Sequence, residues 1–540
     1  MKKSYLTITA AVLLILASCK KLDLAPRDRF TELTFWQSND NVNNALNNIY
    51  GTMYSSTRVF YNEAMSDNAF TKLGVNTGAD AIASGNFTPS LPRFQSDWAF
   101  YYGGIKSCNI FLGNVDKNTT LDAATRERMK GEARFVRAWH HFNLMNWWGD
   151  VPLLASEITG DEAKTISRSP KADVLAFILA ELDAATSVLP AKEQYGANDN
   201  GRITRGAAIA LKSRVLLYEG NKMNEVIAAC EQLIGNTTNG SYSLVSNYSD
   251  LFSDKVINKN NNESILSLQY VPTLRTWGEY IDFAPISAGA RTNNLSPSQE
   301  LVDSYIMTNG KMINEAGSGY DENNVAANRD PRLQATIVYH NYQWTNPDNS
   351  TQTIYIKPGS APNGQAGNEY SNAGQGTATG YYWRKYWDPN AIAGMNAGTN
   401  IHLLRFAEVL LNYAEAKQSL GQMTQDVWNK TIRVIRARAG FTSAGALDYP
   451  GNANMTQLIR NERRVEFAME GLRIDDIRRW KIAETVLNGW LHGAKYGDAT
   501  IDNGYLRVQL RTFNPQKHYL WPVPPSERAL NTQLSQNPNY

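Results

Sequence analysis

Cysteine is nearly absent from this 540-residue chain: Cys19, Cys108 and Cys230 are its three, and none has the CxxC spacing of a zinc or redox site. Histidine is also scarce, at positions 140, 141, 340, 402, 492 and 518, and no HExxH occurs. His140 and His141 are adjacent and point about 100° apart on a helix, so His140 is expected to pack in a helix face, not bind metal. There is no GxSxG nucleophile elbow and no D-x-D-x-D-G calcium loop. The glycine-rich loop around Gly374, Gly376 and Gly380 lacks the preceding strand and following helix of a phosphate site. Past the first 18 residues no apolar run approaches the length that spans a bilayer. An excess of one charge is missing too. Of 53 basic residues, Lys2 and Lys3 lie in the first 18; the remaining 51 match 51 acidic ones. A neutral body lacks the footprint of a nucleic-acid binder. The expectation is a chain with no cofactor, no metal and no catalytic residue.

The N-terminus is what the chain does have. Lys2 and Lys3 precede the eleven-residue apolar run 6–16, LTITAAVLLIL, a bacterial secretory signal too short to cross a membrane. The ending Leu16-Ala17-Ser18-Cys19 resembles a lipobox. That implies removal of residues 1–18 and a body tethered by acyl chains on Cys19. Cys108 and Cys230 fall in apolar, helix-like stretches and are expected as two separate buried thiols.

The mature chain, 19–540, reads as one domain with three zones. Residues 19–270 are mostly helical. Val42, Ala45, Leu46, Ile49 and Met53 mark one amphipathic helix, with Asp40 as the expected cap. A second runs through Met129, Val136, His140 and Leu144 to Trp147 and is apolar nearly all round. Pro170, behind Ser169, is expected to open a third, and 204–220 and 222–235 read as two more. Residues 271–400 are rich in Gly, Asn, Ser and Pro, with short strands expected at Thr353–Ile356 and Ala335–Tyr339. Ten Trp or Tyr nonetheless lie within 339–387. A zone poor in aliphatics and rich in rings must drape over a scaffold or present rings to a ligand. Helices return over 401–490, in a last zone reaching 540. Small residues such as Ala207, Ala208, Ala210, Ala407 and Ala414 suggest stacked helix pairs like tetratricopeptide repeats, without a strict 34-residue period.

Several motifs coincide. Gly131–Leu154 (GEARFVRAWHHFNLMNWWGDVPLL) ends in Gly-Asp-Val-Pro. Arg329–Leu333 reads RDPRL, Leu404–Ala416 reads LRFAEVLLNYAEA and Glu462–Trp480 reads ERRVEFAMEGLRIDDIRRW. Tyr519–Pro524 and Gln536–Tyr540 close the chain, with Asn539 where a glycine is usual. Together these resemble the SusD/RagB outer-membrane lipoproteins of Bacteroidetes over nearly the whole length. The resemblance implies a mainly α fold: a right-handed superhelix of tetratricopeptide-like helix pairs, a few short strands, and a large irregular, loop-rich face that binds ligand. It implies a surface-exposed protein on the outer membrane that caps a TonB-dependent SusC-type β-barrel. Such proteins deliver glycans to the barrel or, in some members, peptides or other oligomeric nutrients; they bind and do not cleave.

The acids and arginines of the ERR…RRW segment are interleaved in equal number. Carboxylates such as Glu462, Glu466, Glu470, Asp475 and Asp476 could suit a glycosidase pair, but as many arginines among them would hold them ionised. A structural ion network is expected. Ligand contacts should be aromatic, since sugars offer C–H faces to rings and hydroxyls to polar side chains. Two regions qualify. One holds Phe70, with Asp67 and Asn68 beside it. The other holds Trp277, Tyr280, Phe283 and Arg291. Trp277 and Tyr280 lie three apart in a segment with no helical stripe, so Trp277 is expected as a stacking platform, with a lid over the helices as the competing account. Trp98 and Tyr101, in a helix-like run, read as core.

Overall fold

The computed structural model describes residues 32–72, 77–362, 366–388 and 397–540. The signal segment and Cys19 lie outside the described residues.

Helices form where the apolar spacing expects them. Helix α1 (Asn39–Gly51) buries Val42, Leu46 and Ile49 on one stripe. Ser38, not Asp40, caps it: the Ser38 hydroxyl accepts from Asn41 N–H, while Asp40 sits in the first turn, where the helix dipole favours an acid. Helix α2 (Pro92–Asn114) opens on proline and buries Trp98 and Tyr101. Helix α3 (Ala123–Trp148) is capped by Asp122, is buried nearly all round over its second half, and stops at Gly149, whose φ of +74° suits glycine. In α4 (Lys171–Val188) Pro170 is the cap residue, one position earlier than expected. Helices α5 (Arg205–Glu219) and α6 (Met223–Glu231) follow. After the loop zone come α7 (Phe406–Ser419), α8 (Ile432–Ala439), α9 (Met455–Glu466) and α10 (Arg473–Arg479).

Neighbours pack in series: α2 on α3, α3 on α4, α4 on α5, α5 on α6, α6 on α7 and α7 on α9. Ala207, Ala208, Ala210, Ala407 and Ala414 are buried and let the helices approach closely. His140 is fully buried, 2.9 Å from the Thr52 hydroxyl, and burial pulls its imidazole down to about 3, so it is neutral. Cys108 and Cys230 are free, buried thiols.

The strands are short and all pair antiparallel. They are β1 (Ala69–Thr71), β2 (Ser264–Leu268), β3 (Leu295–Pro297), β4 (Ile337–Val338), β5 (Tyr342–Thr345), β6 (Thr351–Ile354), β7 (Tyr382–Trp383), β8 (Ile401–Arg405), β9 (Gly489–His492) and β10 (Arg507–Arg511). The pairs are β1–β3, β2–β8, β4–β7, β5–β6 and β9–β10. The β2–β8 pair, with Leu268 opposite Ile401, clasps the two ends of the loop zone directly before α7. Inside that zone Trp344, Trp383, Trp387, Tyr382 and Tyr386 are buried, so most of its rings drape over the scaffold.

The charged motifs form buried ion clusters. Arg332 is fully buried and meets Asp330 at 2.7 Å, Glu462 at 2.7 Å and Glu466 at 3.0 Å. Arg405 meets Glu263 at 2.6 Å, Glu466 at 3.0 Å and Glu470 at 2.8 Å. Arg463 joins α9 to α10 through Asp476 at 2.8 Å. Burial alone would raise the Glu466 carboxyl, yet Arg438, Arg405 and Arg332 hold it down to about 2. These carboxylates are bridged by arginines, a structural role.

Candidate ligand-binding cleft

Five tyrosines converge on a cleft of about 660 Å³ in the irregular face. Tyr339 leads the turn between β4 and β5, with Asn341 at φ +67°. Tyr320 comes from the loop before the RDPRL segment, where the Arg329 guanidinium lies 5.2 Å from its ring centroid. Arg329 also donates to the carbonyls of Val302 and Tyr305, so that segment fixes the wall on which Tyr320 stands. Tyr381 donates its hydroxyl to Gln299 at 2.7 Å. Tyr496 and Tyr505 sit on the loop joining β9 to β10.

That loop approaches closely because glycines allow it. A Cβ on Gly380 would meet Ala494 at 2.7 Å and the Tyr496 ring at 2.9 Å; one on Gly493 would meet the Thr379 carbonyl at 2.4 Å. His492 fastens the loop on its other side, with Nδ1 2.8 Å from Glu300 and Nε2 3.2 Å from Asp502. Hydrogen bonding to Glu300, above all, raises the His492 pKa. Across the mouth, Lys495 pairs with Glu322 at 2.6 Å.

The lining alternates tyrosine rings with polar groups, among them Lys357 and the Lys495–Glu322 pair. His340 Nδ1 accepts from the Ile356 and Lys357 N–H groups, which leaves Nε2–H as the donor of the neutral ring. Burial, then Lys357, lowers its pKa, so it stays neutral. Burial pushes Tyr320 up to about 12 and raises Tyr496 and Tyr381, so these hydroxyls keep their protons. Asn323, Asn324 and Asn341 add amides. Rings for C–H faces, with neutral donors and acceptors between them, suit a polyhydroxylated ligand. Among the described residues, Glu322 is the one carboxylate of the lining and is held by Lys495, so they supply no carboxylate pair of the kind glycoside hydrolysis uses.

The residues expected from the sequence are placed elsewhere. Trp277 is 3% exposed, its indole N–H donates to Thr399 O at 2.8 Å, and its ring packs against Phe60 and Phe283. Tyr280 and Phe283 are buried in the same aromatic layer. The stacking-platform expectation is therefore corrected: this layer seats the loop zone on the helices, the lid account. Asp67 and Asn68 are corrected likewise. Asp67 is buried against Arg473 at 2.8 Å and Arg464 at 3.1 Å; Asn68 bridges Glu63 and Arg464. Phe70 is half-buried, and Arg291 is exposed. Sequence reasoning flagged the ring-rich stretch that supplies Tyr339 and Tyr381. It gave no signal for Tyr320, Tyr496 or Tyr505, which long-range packing brings to the cleft.

Comparison with known proteins agrees with this architecture. The profile of the SusD family matches residues 250–540, and that of a SusD-like family described as starch-binding and associating with the outer membrane matches 22–217. A SusD-like protein of Bacteroides ovatus is 26% identical over 514 residues, 88% of this chain and 82% of its own. The match to SusD-like protein P25 of Formosa agariphila, also 26% identical, covers 48% of this chain and only half of that relative's length. A solved SusD-like carbohydrate-binding protein of Bacteroides fragilis superposes with a TM-score of 0.84 at 28% identity, covering 93% of this chain and all of its own. Helical scaffold, buried arginine–carboxylate motifs and profile matches all agree: the chain belongs to the SusD family.

Proposed function

We propose that this protein is a cell-surface binding subunit that captures oligo- or polysaccharide in the tyrosine cleft and hands it to a SusC-type, TonB-dependent outer-membrane barrel. The observation that carries the reading is the cleft itself, with its rings, neutral hydroxyls, amides and neutral imidazole. Support also comes from relatives whose names state glycan binding, among them the starch-binding protein SusD of Bacteroides thetaiotaomicron and a laminarin-binding SusD-like protein. The lipobox-like Leu-Ala-Ser-Cys ending supplies the anchor, through Cys19. We infer binding without cleavage.

Affinity electrophoresis against a polysaccharide panel tests this, followed by calorimetry on the glycan retained. Tyr496→Ala should weaken binding about tenfold or more with the melting temperature little changed, by analogy with the 1–3 kcal/mol of a stacked ring. Unchanged affinity for the retained glycan would remove the cleft from the site. Retention of peptides with no glycan retained would replace the glycan reading by that of a peptide-binding subunit.

A further inference from the structure

A second cleft, of about 790 Å³, lies between the end of α3, the turn after α10 and the chain terminus. Six cations line it, Arg168, Lys171, Arg478, Arg479, Lys481 and Lys517, against the two carboxylates Asp150 and Glu219. The mature chain is neutral, so this excess is local. Part of it is compensated. Lys171 pairs with Glu219 at 2.9 Å, Arg479 with Glu415 at 2.5 Å, and Arg478 has Asp475 at 3.5 Å. Among the described residues the other three have no carboxylate within ion-pair distance. Arg168 donates to neutral acceptors, the carbonyls of Asp150 and Trp148 and the Asn537 side chain. Lys481 lies over the Tyr519 ring at 3.9 Å and Lys517 over the Tyr540 ring at 4.6 Å.

Lys481 adds an independent sign. It stands just past α10 with φ +54°, where Lys481 N–H donates to Arg478 O and Ile482 N–H to Ile477 O. This is the helix-ending position that usually falls to glycine, because a side chain there is strained. A cation at a helix C-terminus is favourable, but a lysine earlier in the last turn achieves that without the strain. The strained position instead directs this ammonium over Tyr519 at the cleft wall. Burial, then Arg478 and Lys171, push the Lys481 ammonium below its ordinary range, and burial does the same to Arg168. Lys481 would gain from an anion, whereas Arg168, whose N–H groups are also taken by Ser535, adds positive charge without a free donor.

We propose that this cleft binds the sulfate or carboxylate groups of an acidic oligosaccharide. Its volume lies within the roughly 300–1,000 Å³ of clefts that hold multi-ring ligands, far more than a lone oxyanion fills. Only the saccharide part rests on the glycan reading above; the anion part stands on the charges alone.

The test is calorimetric titration of the purified protein with a sulfated hexasaccharide, its desulfated counterpart and sodium sulfate. The sulfated form should bind at least about tenfold tighter than the desulfated one, and added salt should weaken it. Lys481→Gly should weaken that binding about tenfold while raising the melting temperature, because glycine relieves the backbone strain. Lys517→Ala should weaken it as well. Equal affinity for the two hexasaccharides, or unchanged affinity in both lysine variants, overturns the proposal. Sodium sulfate binding as tightly as the sulfated hexasaccharide overturns the saccharide assignment. Loss of sulfated-hexasaccharide binding in Tyr496→Ala would place that ligand in the tyrosine cleft and overturn the second site.

Discussion

Trp277→Ala separates scaffold from site. The indole is 3% exposed, and a buried tryptophan removes about 250 Å² from water. At about 25 cal/mol per Å² that is an upper bound near 6 kcal/mol. Alanine keeps the Cβ, and a compact denatured chain already hides part of the ring, which brings the loss to about 3–5 kcal/mol. The Thr399 carbonyl also loses its donor at 2.8 Å, at a cost of about 1 kcal/mol more. Trp277→Phe keeps a ring in the layer and should lose only about 1–2 kcal/mol, the hydrogen bond and part of the packing. Urea denaturation should show the midpoint falling in the order wild type, Phe, Ala. Glycan affinity, measured on the folded fraction, should stay near wild type in both variants. A normal denaturation midpoint with a tenfold loss of affinity would refute the reasoning, because it would mean that the ring faces ligand in solution.

Arg332→Ala would strand Asp330, Glu462 and Glu466 without their shared cation. It should cost about 3–5 kcal/mol, read as a large fall in melting temperature or loss of soluble protein; a melting curve like wild type would remove Arg332 from the stabilising network. His492 has a raised pKa in the fold. Its contribution is therefore complete below the ordinary histidine value and fades as pH rises through the raised one. Unfolding free energy should decline as pH rises above the ordinary histidine value, and His492→Gln should flatten that decline; an unchanged profile would mean that the Glu300–His492–Asp502 clamp carries no linkage. Cys19→Ala should release the protein from the outer-membrane fraction after high-salt washing, since acyl chains supply the attachment in the lipobox reading. A variant that stays in the pellet would end that reading.

The helices and the ion network were legible because their causes are local or repetitive. Val42, Leu46 and Ile49 announce a buried stripe by spacing alone, and the five arginines interleaved with five acids in the ERR…RRW segment announce bridging. The ligand face was not legible, for the opposite reason. Trp277 looked free because its segment shows no helical stripe; its hydrogen-bond partner Thr399 lies 122 residues away, and Phe60 reaches its ring from a distant helix. Asp67 looked like a polar site residue because Arg473, which neutralises it, is 406 positions distant. Tyr496 reaches His340 only because Gly380 leaves room, a condition no local window contains. Misreading Asp40 as a cap is milder: Ser38 and Asp40 are both good capping types, and a two-residue difference is below what side-chain preference resolves.

The antiparallel clasp of β2 and β8 has an evolutionary consequence. It brings residue 268 opposite residue 401, so the long excursion between them leaves and rejoins the scaffold at one place. The entropic penalty of closing such an excursion grows only with the logarithm of its length, about 0.6 kcal/mol for each doubling. Segments within it, apart from the RDPRL stretch whose Arg332 belongs to the buried ion clusters, can therefore lengthen, shorten or be exchanged between relatives while the helices stay as they are. A lineage facing a new ligand would need to rewrite only those segments and the loop that meets them from β9, and a chimera joined at residues 268 and 401, with the RDPRL stretch kept, is the natural unit for transplanting one member's preference onto another.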